Sequence, residues 1–192
     1  MPLPVLAGAA LVVLASVALV LGTRDILASR ADERAAREID ALLGDLPHDN
    51  RPLRDRLSFP ADAGQVAVYP ARTAGRLTGA VVRVSAPDGY GGPVELVVAF
   101  DAAGTIRAIR IESHRETPGI GAQVADPDSR WLGGFLGHTP ALDTPGAWAL
   151  RRDGGQFDQL TGATVTSRAV TAALLEAARV FEAHRAEIEA GR

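Results

Sequence analysis

A segment near the start of the sequence constrains the fold most strongly, because it carries no charge. Residues 3–22 contain no charged side chain and consist mainly of Leu, Val and Ala. At the rise of an α-helix, about twenty residues span about 30 Å, which is the thickness of the hydrocarbon core of a bilayer. The pattern predicts one membrane-spanning helix, which we assign to residues 1–23. The alternative is a cleaved signal peptide, but the segment has no basic residue before it and is longer than the usual apolar core of such a peptide.

The composition excludes several classes of function. The sequence contains no Cys, so disulfides, thiolate nucleophiles and Cys-ligated zinc or iron–sulfur centres are excluded. It also contains no Lys, which excludes Schiff-base chemistry and a Walker-type phosphate loop. The net charge is −3 and the Arg residues are scattered, so nucleic acid is not expected as a partner. The His residues lack the spacing of metal ligands, and we expect no metal site.

Residues 24–62 are expected to connect the membrane helix to a folded domain. Apolar residues recur among charged ones between positions 24 and 46, which indicates a helix that leaves the membrane and docks on the domain; Pro47 is expected to end it. Residues 48–60 are polar, rich in Arg and interrupted by proline, a composition typical of a linker.

The folded domain is expected over residues 63–185, followed by a tail at residues 186–192. Residues 94–100 alternate between apolar and other side chains, which predicts a half-buried strand. Further strands are predicted at residues 66–69, 80–84, 106–111 and 148–151. The last helix is predicted from one apolar face, formed by Val170, Leu174, Ala177 and Phe181. This order of elements favours an α+β fold with an antiparallel or mixed sheet and a C-terminal helix.

The loop before the last helix is the leading candidate for a functional site. Residues 158–167 read Asp-Gln-Leu-Thr-Gly-Ala-Thr-Val-Thr-Ser. Gly162 and Ala163 leave the backbone accessible, and Thr166 or Ser167 is a candidate N-cap. Because the N-terminus of a helix offers unpaired N–H groups and the positive end of a dipole, a phosphate would be stabilised beside Thr164. The alternative is a turn and a cap with no ligand.

Two glycine-containing loops are further candidates. Residues 88–93 read Asp-Gly-Tyr-Gly-Gly-Pro, which permits either the close approach of a flat ligand or simply a hairpin connection. Residues 114–121 read His-Arg-Glu-Thr-Pro-Gly-Ile-Gly, and Pro118 with Gly119 predicts a turn of type II. The alternative for the second loop is also a purely structural turn. We assign the large aromatic residues Trp131, Phe135 and Trp148 to the core.

These three segments resemble motifs of the Rnf and Nqr electron-transport families. The set Asp158, Thr161, Gly162, Ala163 and Thr164 matches their flavinylation signature. Residues 114–121 are similar to the His-x-Glu-Thr-Pro-Gly-Leu-Gly segment of Rnf G-type and Nqr C-type proteins, with Ile120 in the place of Leu. Residues 89–93 are similar to the Gly-Tyr-x-Gly-Pro-like segment of related FMN-binding domains.

The resemblance implies a cofactor and its site. In those families a flavin transferase joins the phosphate of FMN to the last hydroxyl of the signature, which corresponds to Thr164. The expected cofactor-binding residues are Thr164, Thr161, Gly162, Ala163, Glu116, Thr117, Pro118 and Gly119. The transferase would recognise Asp158, Thr161, Gly162, Ala163 and Thr164. His114 and Glu116 are assigned to the structure of the pocket, since a flavin that passes electrons between neighbours needs no dedicated base. No catalytic residue and no independent catalysis are expected.

The resemblance also implies partners and a location. It favours an electron relay in an Rnf-type ion-translocating ferredoxin:NAD⁺ oxidoreductase, with the other membrane subunits as partners. The flavin domain would lie on the periplasmic side of the bacterial inner membrane. The positive-inside rule alone predicts the opposite side, because Arg residues follow the apolar segment and none precedes it. An Nqr C-type or stand-alone anchored FMN protein is the alternative, and a non-redox assembly or ligand-binding subunit with an unmodified motif is the alternative from another class.

Overall fold

The computed structural model describes residues 29–126, 130–140 and 142–191. The membrane helix predicted at residues 1–23 lies outside these ranges. Within them, no helix is both long enough and apolar enough to cross a membrane. The chain divides into two structural units, residues 1–38 and residues 39–192. The sheet and its core belong to the second unit.

The first helix, α1, covers residues 29–43 of the described chain. It ends at Gly44, which has a φ of 59° and donates its N–H to the carbonyl of Asp40 at 3.1 Å. A glycine in this left-handed conformation is a common helix terminator. The prediction that Pro47 ends this helix was wrong by about one turn, because the left-handed Gly44 ends it first.

Five strands form one antiparallel sheet in the order of the chain. They are β1 (Leu57–Ala61), β2 (Gly64–Thr73), β3 (Arg76–Ala86), β4 (Val94–Asp101) and β5 (Ile106–Ser113). The predicted antiparallel sheet is therefore confirmed, and four of its strands contain the predicted segments at residues 66–69, 80–84, 94–100 and 106–111. The prediction of a strand at residues 148–151 was wrong, since this segment forms only an isolated bridge between Leu150 and Phe157.

Strand β1 lies in the segment that the sequence analysis read as a linker. Leu57 pairs with Val68 and Ala61 with Gly64, and Phe59 is buried in the core. Pro60 concealed this strand in the sequence. Proline is tolerated here because β1 is an edge strand, where one side of the backbone needs no partner.

The sheet is covered on both faces. On one face, Val68, Val82 and Val98 pack in the main core with α3 (Thr164–Ala183). On the other face, a second cluster buries Ala67, Tyr69, Val81, Val97 and Ala99 against three residues at the end of α1, namely Ile39, Leu42 and Leu43. Strand β4 was predicted to be half buried, but this second layer buries both of its faces.

The predicted apolar face of α3 is confirmed, since Val170, Leu174, Ala177 and Phe181 are all fully buried. The helix begins earlier than expected, at Thr164, and its N-cap Ala163 makes no side-chain capping bond. The prediction that Thr166 or Ser167 is the cap was therefore wrong. Both residues lie inside the first turns of the helix, on its buried side.

Short elements complete the described chain. The helices α2 (Arg130–Gly133) and α4 (Arg185–Ala190) flank α3 in sequence, and 3₁₀ turns occur at Gly121–Ala125, Pro145–Ala147 and Arg151–Asp153. Ile188 of α4 is fully buried, and its carbonyl accepts a hydrogen bond from the buried Arg72 Nε at 3.1 Å. The packed structure thus extends beyond the predicted boundaries at residues 63 and 185.

Candidate functional site

Three loops meet at the N-terminus of α3 and enclose a cavity of about 340 Å³. One loop follows β3, one follows β5, and one follows the Arg151–Asp153 turn. Because β3 and β5 run in the same direction in the antiparallel sheet, the loops that follow them lie at the same edge. The lining residues are Tyr90, Glu116, Thr117, Ile120, Gly121, Gly162, Ala163, Thr164, Val165 and Thr166. Five of the predicted cofactor-binding residues are among them, namely Glu116, Thr117, Gly162, Ala163 and Thr164. The predicted residues Thr161, Pro118 and Gly119 lie beside the cavity in sequence but do not line it.

The carboxylate of Glu116 joins the three loops. It is buried, and its Oε2 accepts a hydrogen bond from the Thr166 hydroxyl at 2.8 Å. Its Oε1 accepts a hydrogen bond from the N–H of Gly91 at 3.0 Å. The N–H of Glu116 donates to His114 Nδ1 at 3.2 Å, so His114 supports the loop backbone. A buried carboxylate needs such donors, and here they come from the first turn of α3 and from the loop between β3 and β4.

The glycines around Glu116 allow neighbouring segments of the chain to approach each other closely. A Cβ on Gly121 would collide with the Glu116 carboxylate, and a Cβ on Gly91 would overlap the carbonyl of Arg115. A Cβ on Gly89 would likewise overlap the carbonyl of Gly92. The sequence is compatible with Gly89 and Gly91 either as room for a flat ligand or as hairpin residues. The structure uses them to bring the loops into contact.

The turn predicted at Pro118 and Gly119 is confirmed. Gly119 has a φ of 77°, and the N–H of Ile120 donates to the carbonyl of Thr117 at 3.2 Å. Proline at the second position and a glycine with positive φ at the third are the features of a type II turn. Both residues are exposed, so this turn forms the outer edge of the site.

Thr164 is the first residue of α3 and is half buried at the mouth of the cavity. Its Oγ1 accepts a hydrogen bond from Arg152 Nη1 at 3.1 Å. Gly162, with a φ of 79°, turns the chain just before the helix. Sequence reasoning missed Arg152, because its proximity to Thr164 depends on how the turn at Arg151–Asp153 packs, and no local pattern shows this.

Asp158 and Thr161 are not among the residues that line the cavity. The side chain of Asp158 is 74% exposed, and its Oδ1 lies 3.3 Å from Arg151 Nε. Its backbone carbonyl accepts a hydrogen bond from Trp131 Nε1 at 2.6 Å, which fastens the start of the loop. Thr161 is exposed. Both side chains are therefore available to another protein.

The rim of the cavity is apolar. Four large apolar side chains are exposed in the part of the chain that the structure describes, and three of them line this cavity: Tyr90 at 76%, Ile120 at 48% and Val165 at 45%. Exposed apolar groups around a concave surface indicate a binding site. The aromatic residues assigned to the core are confirmed there, since Phe135 and Trp148 are buried and Trp131 packs against them.

The apolar and polar groups at this cavity are compatible with a flavin nucleotide. The apolar rim can receive an isoalloxazine ring, and Thr164 with Arg152 at the helix N-terminus can receive a phosphate. Residues 89–179 match the family model described as the FMN-binding domain. This match contains every residue that lines the cavity. The chain is thus a protein with an FMN-binding domain.

Relatives that align with most of the chain identify the family more narrowly. The G subunit of the ion-translocating oxidoreductase complex of Cereibacter sphaeroides is 38% identical over 86% of this chain and 76% of the relative. The proteins of the same name from Stutzerimonas stutzeri and Pseudomonas aeruginosa are 39% and 38% identical, over 85% and 83% of this chain and 73% and 77% of the relatives. The chain belongs to this family of G subunits, RnfG.

Proposed function

We propose that this protein is a membrane-anchored subunit that relays electrons through FMN covalently attached to Thr164. It would act within an Rnf-type ion-translocating ferredoxin:NAD⁺ oxidoreductase. The observation that carries the proposal is the position of the Thr164 hydroxyl. It lies at the mouth of an apolar-rimmed cavity, on the first residue of a helix and in contact with a guanidinium group.

The residues of the cavity divide into two groups by the part of the cofactor they would hold. Thr164 would carry the phosphate, while Gly162 and Ala163 let it approach the backbone at the helix N-terminus. Tyr90, Ile120 and Val165 would pack on the ring, together with the Thr117–Gly119 turn at the edge. Glu116 would hold the three loops in place, as its hydrogen bonds to Thr166 and Gly91 indicate.

The bound FMN would supply one- and two-electron transfer, and the protein would set its position and surroundings. A phosphoester to Thr164 leaves the ring unmodified. It also keeps the cofactor in place where free flavin is scarce, because the local concentration no longer depends on supply. Residues of this chain need to bind and orient the ring, not to perform acid–base chemistry.

The partners and location follow from the same proposal. The other membrane subunits of the complex would exchange electrons with the flavin. A flavin transferase would recognise the exposed Asp158 and Thr161 together with Gly162, Ala163 and Thr164. Residues 1–23 would anchor the chain in the bacterial inner membrane, with the flavin domain on the periplasmic side.

Replacing Thr164 tests the attachment directly. The full-length chain is produced with its flavin transferase, and its mass is measured after denaturing precipitation. We expect wild-type protein to be yellow and heavier by one FMN moiety, and Thr164→Val to be colourless and unmodified. Thr164→Ser keeps a hydroxyl at the same place and should retain the flavin.

Other results would contradict the proposal in different ways. Covalent flavin on Thr164→Val would move the attachment to another residue. Thr161 would then be the first candidate, since it is exposed while Thr166 is buried and bonded to Glu116. Wild-type protein that is stable and assembled in the membrane complex but carries no flavin would favour a non-redox subunit.

A further inference from the structure

Arg152 lies outside the sequence motifs, but its side chain contacts the candidate attachment residue Thr164. Its Nη1 donates hydrogen bonds to Thr164 Oγ1 at 3.1 Å and to Gln159 Oε1 at 3.4 Å. The guanidinium group therefore contacts the oxygen atom that would be esterified. Arginine is well suited to bind phosphate, because its planar group is always charged and presents several N–H donors together.

The turn that carries Arg152 is closed by its own backbone. The N–H of Arg151 donates to the carbonyl of Phe157 at 2.7 Å, and the N–H of Asp153 donates to the carbonyl of Leu150 at 2.8 Å. Gly154 ends the turn with a φ of 91°. These bonds define where the backbone of Arg152 lies, although its side chain is exposed.

An ion pair fastens the same turn to α3. Arg168 Nε and Nη2 donate to the two carboxylate oxygens of Asp153 at 2.6 and 2.7 Å. The hydrogen bond from Arg168 holds the pKa of the Asp153 carboxyl below its usual range, and the same bond raises the pKa of the Arg168 guanidinium. Arg168 follows Thr164 by four residues, so both lie on the same side of the helix. The pair thus holds the turn against the helix face that displays Thr164.

We propose that Arg152 is the phosphate-binding residue of the flavin attachment site, and that the Asp153–Arg168 pair positions it. This inference rests on the proposed attachment at Thr164. Arg152 would neutralise the negative charge of the phosphoryl group during attachment. It would then pair with the single negative charge of the phosphodiester on Thr164.

The attachment step is a phosphoryl substitution. The Thr164 oxygen forms a bond to the phosphorus of the FMN half of a flavin phosphoanhydride, and the bond from that phosphorus to the bridging oxygen breaks. The second nucleotide leaves with the electron pair, and the hydroxyl proton passes to a base of the transferase or to water. Because Arg152 donates to Oγ1, the hydroxyl hydrogen can point towards that base. A positive charge beside the phosphoryl group that is being transferred generally promotes phosphoryl transfer, because it stabilises the negative charge of the transition state.

The test compares the labelling rates of full-length variants with purified transferase and flavin adenine dinucleotide. We expect Arg152→Gln to be labelled about tenfold more slowly than wild type, since one charge-assisted hydrogen bond is lost at a partly exposed site. Arg152→Lys should recover part of the rate. Arg179→Gln removes the same charge near the other end of α3 and should behave as wild type. Added salt should slow the wild type more than Arg152→Gln.

A second measurement separates phosphate binding from a structural role. The ³¹P NMR signal of the attached flavin phosphate should shift between wild type and Arg152→Gln, while thermal unfolding of the two unlabelled chains coincides. A wild-type labelling rate, or an unchanged ³¹P signal on the Arg152→Gln product, would overturn the role of Arg152 alone. Wild-type protein that takes no flavin at Thr164 would overturn the attachment itself, and this inference with it.

Discussion

Glu116 shows how much of the site depends on a single side chain. Its buried carboxylate accepts hydrogen bonds from the Thr166 hydroxyl, in the first turn of α3, and from the N–H of Gly91, in the loop between β3 and β4. Without Glu116, the three segments that line the cavity would have no shared polar contact at this point. The residue is therefore a structural requirement of the cavity, whatever its distance from the ring of a bound flavin.

Thr166→Val tests the Glu116 contact by removing one donor at nearly constant volume. We expect the free energy of unfolding to fall by about 1.5–3 kcal/mol, because a buried carboxylate loses a hydrogen bond that it cannot replace with water. Urea unfolding of the unlabelled chain measures this change. Thr105→Val is the control, since its hydroxyl bonds to the exposed Thr139 and the loss of this bond should cost less than about 0.5 kcal/mol. Equal effects of the two substitutions would contradict the assigned role of Glu116.

At the scale of single residues, the sequence predicted the site residues that belong to motifs and missed those whose position depends on packing. Thr164, Glu116 and Thr117 were recognisable by their motifs, and the structure places all three at one cavity. Arg152 was not recognisable, because it approaches Thr164 only through the packing of a separate turn. Thr166 was misread as a cap, since a threonine near a helix start has the same local pattern whether it caps the helix or points into the core.

The secondary-structure elements were predictable where the pattern was long and regular. Strand β4 has an alternating pattern, the apolar face of α3 has helical spacing, and β2, β3 and β5 contain runs of β-forming residues; all of these elements formed. Strand β1 has five residues and contains Pro60, so its alternation was too short to recognise. The segment at residues 148–151 has apolar residues because it packs in the core, not because it belongs to the sheet.

The loop between β3 and β4 contains Gly91, which we expect to be required for the stability of the domain. A Cβ on Gly91 would overlap the carbonyl of Arg115, and backbone atoms cannot move aside easily. Gly91→Ala should therefore lower the free energy of unfolding by about 1–3 kcal/mol, and it should weaken the bond from this residue to Glu116. Thermal unfolding measures the effect. Gly133→Ala is the matched control, because a Cβ there meets no atom within 4 Å, and it should leave the midpoint nearly unchanged.

On the scale of the whole molecule, the site depends on a sheet that is covered on both faces. The main core lies between the sheet and α3, and the end of α1 covers the opposite face. The three site loops project from this framework at the N-terminus of α3. The sequence predicted several strands and the apolar helix face of the main core, and it predicted that the helix before the domain docks on it. The burial of Ile39, Leu42 and Leu43 at the end of α1 confirms this docking, but no local pattern shows which face of the sheet the helix covers.

Because of this second layer, we expect a fragment that lacks β1 and the end of α1 to be unable to fold. A fragment of residues 64–192, close to the boundary that the sequence suggested, lacks β1 and the residues Ile39, Leu42 and Leu43. Each buried apolar side chain contributes about 1.5–3 kcal/mol, so the loss is comparable to the whole stability of a domain, about 5–15 kcal/mol. We expect this fragment to show no cooperative urea unfolding by circular dichroism. A fragment of residues 29–192 keeps both parts and should unfold cooperatively. A cooperative transition of the shorter fragment at the same urea concentration would show that β1 and the end of α1 are dispensable.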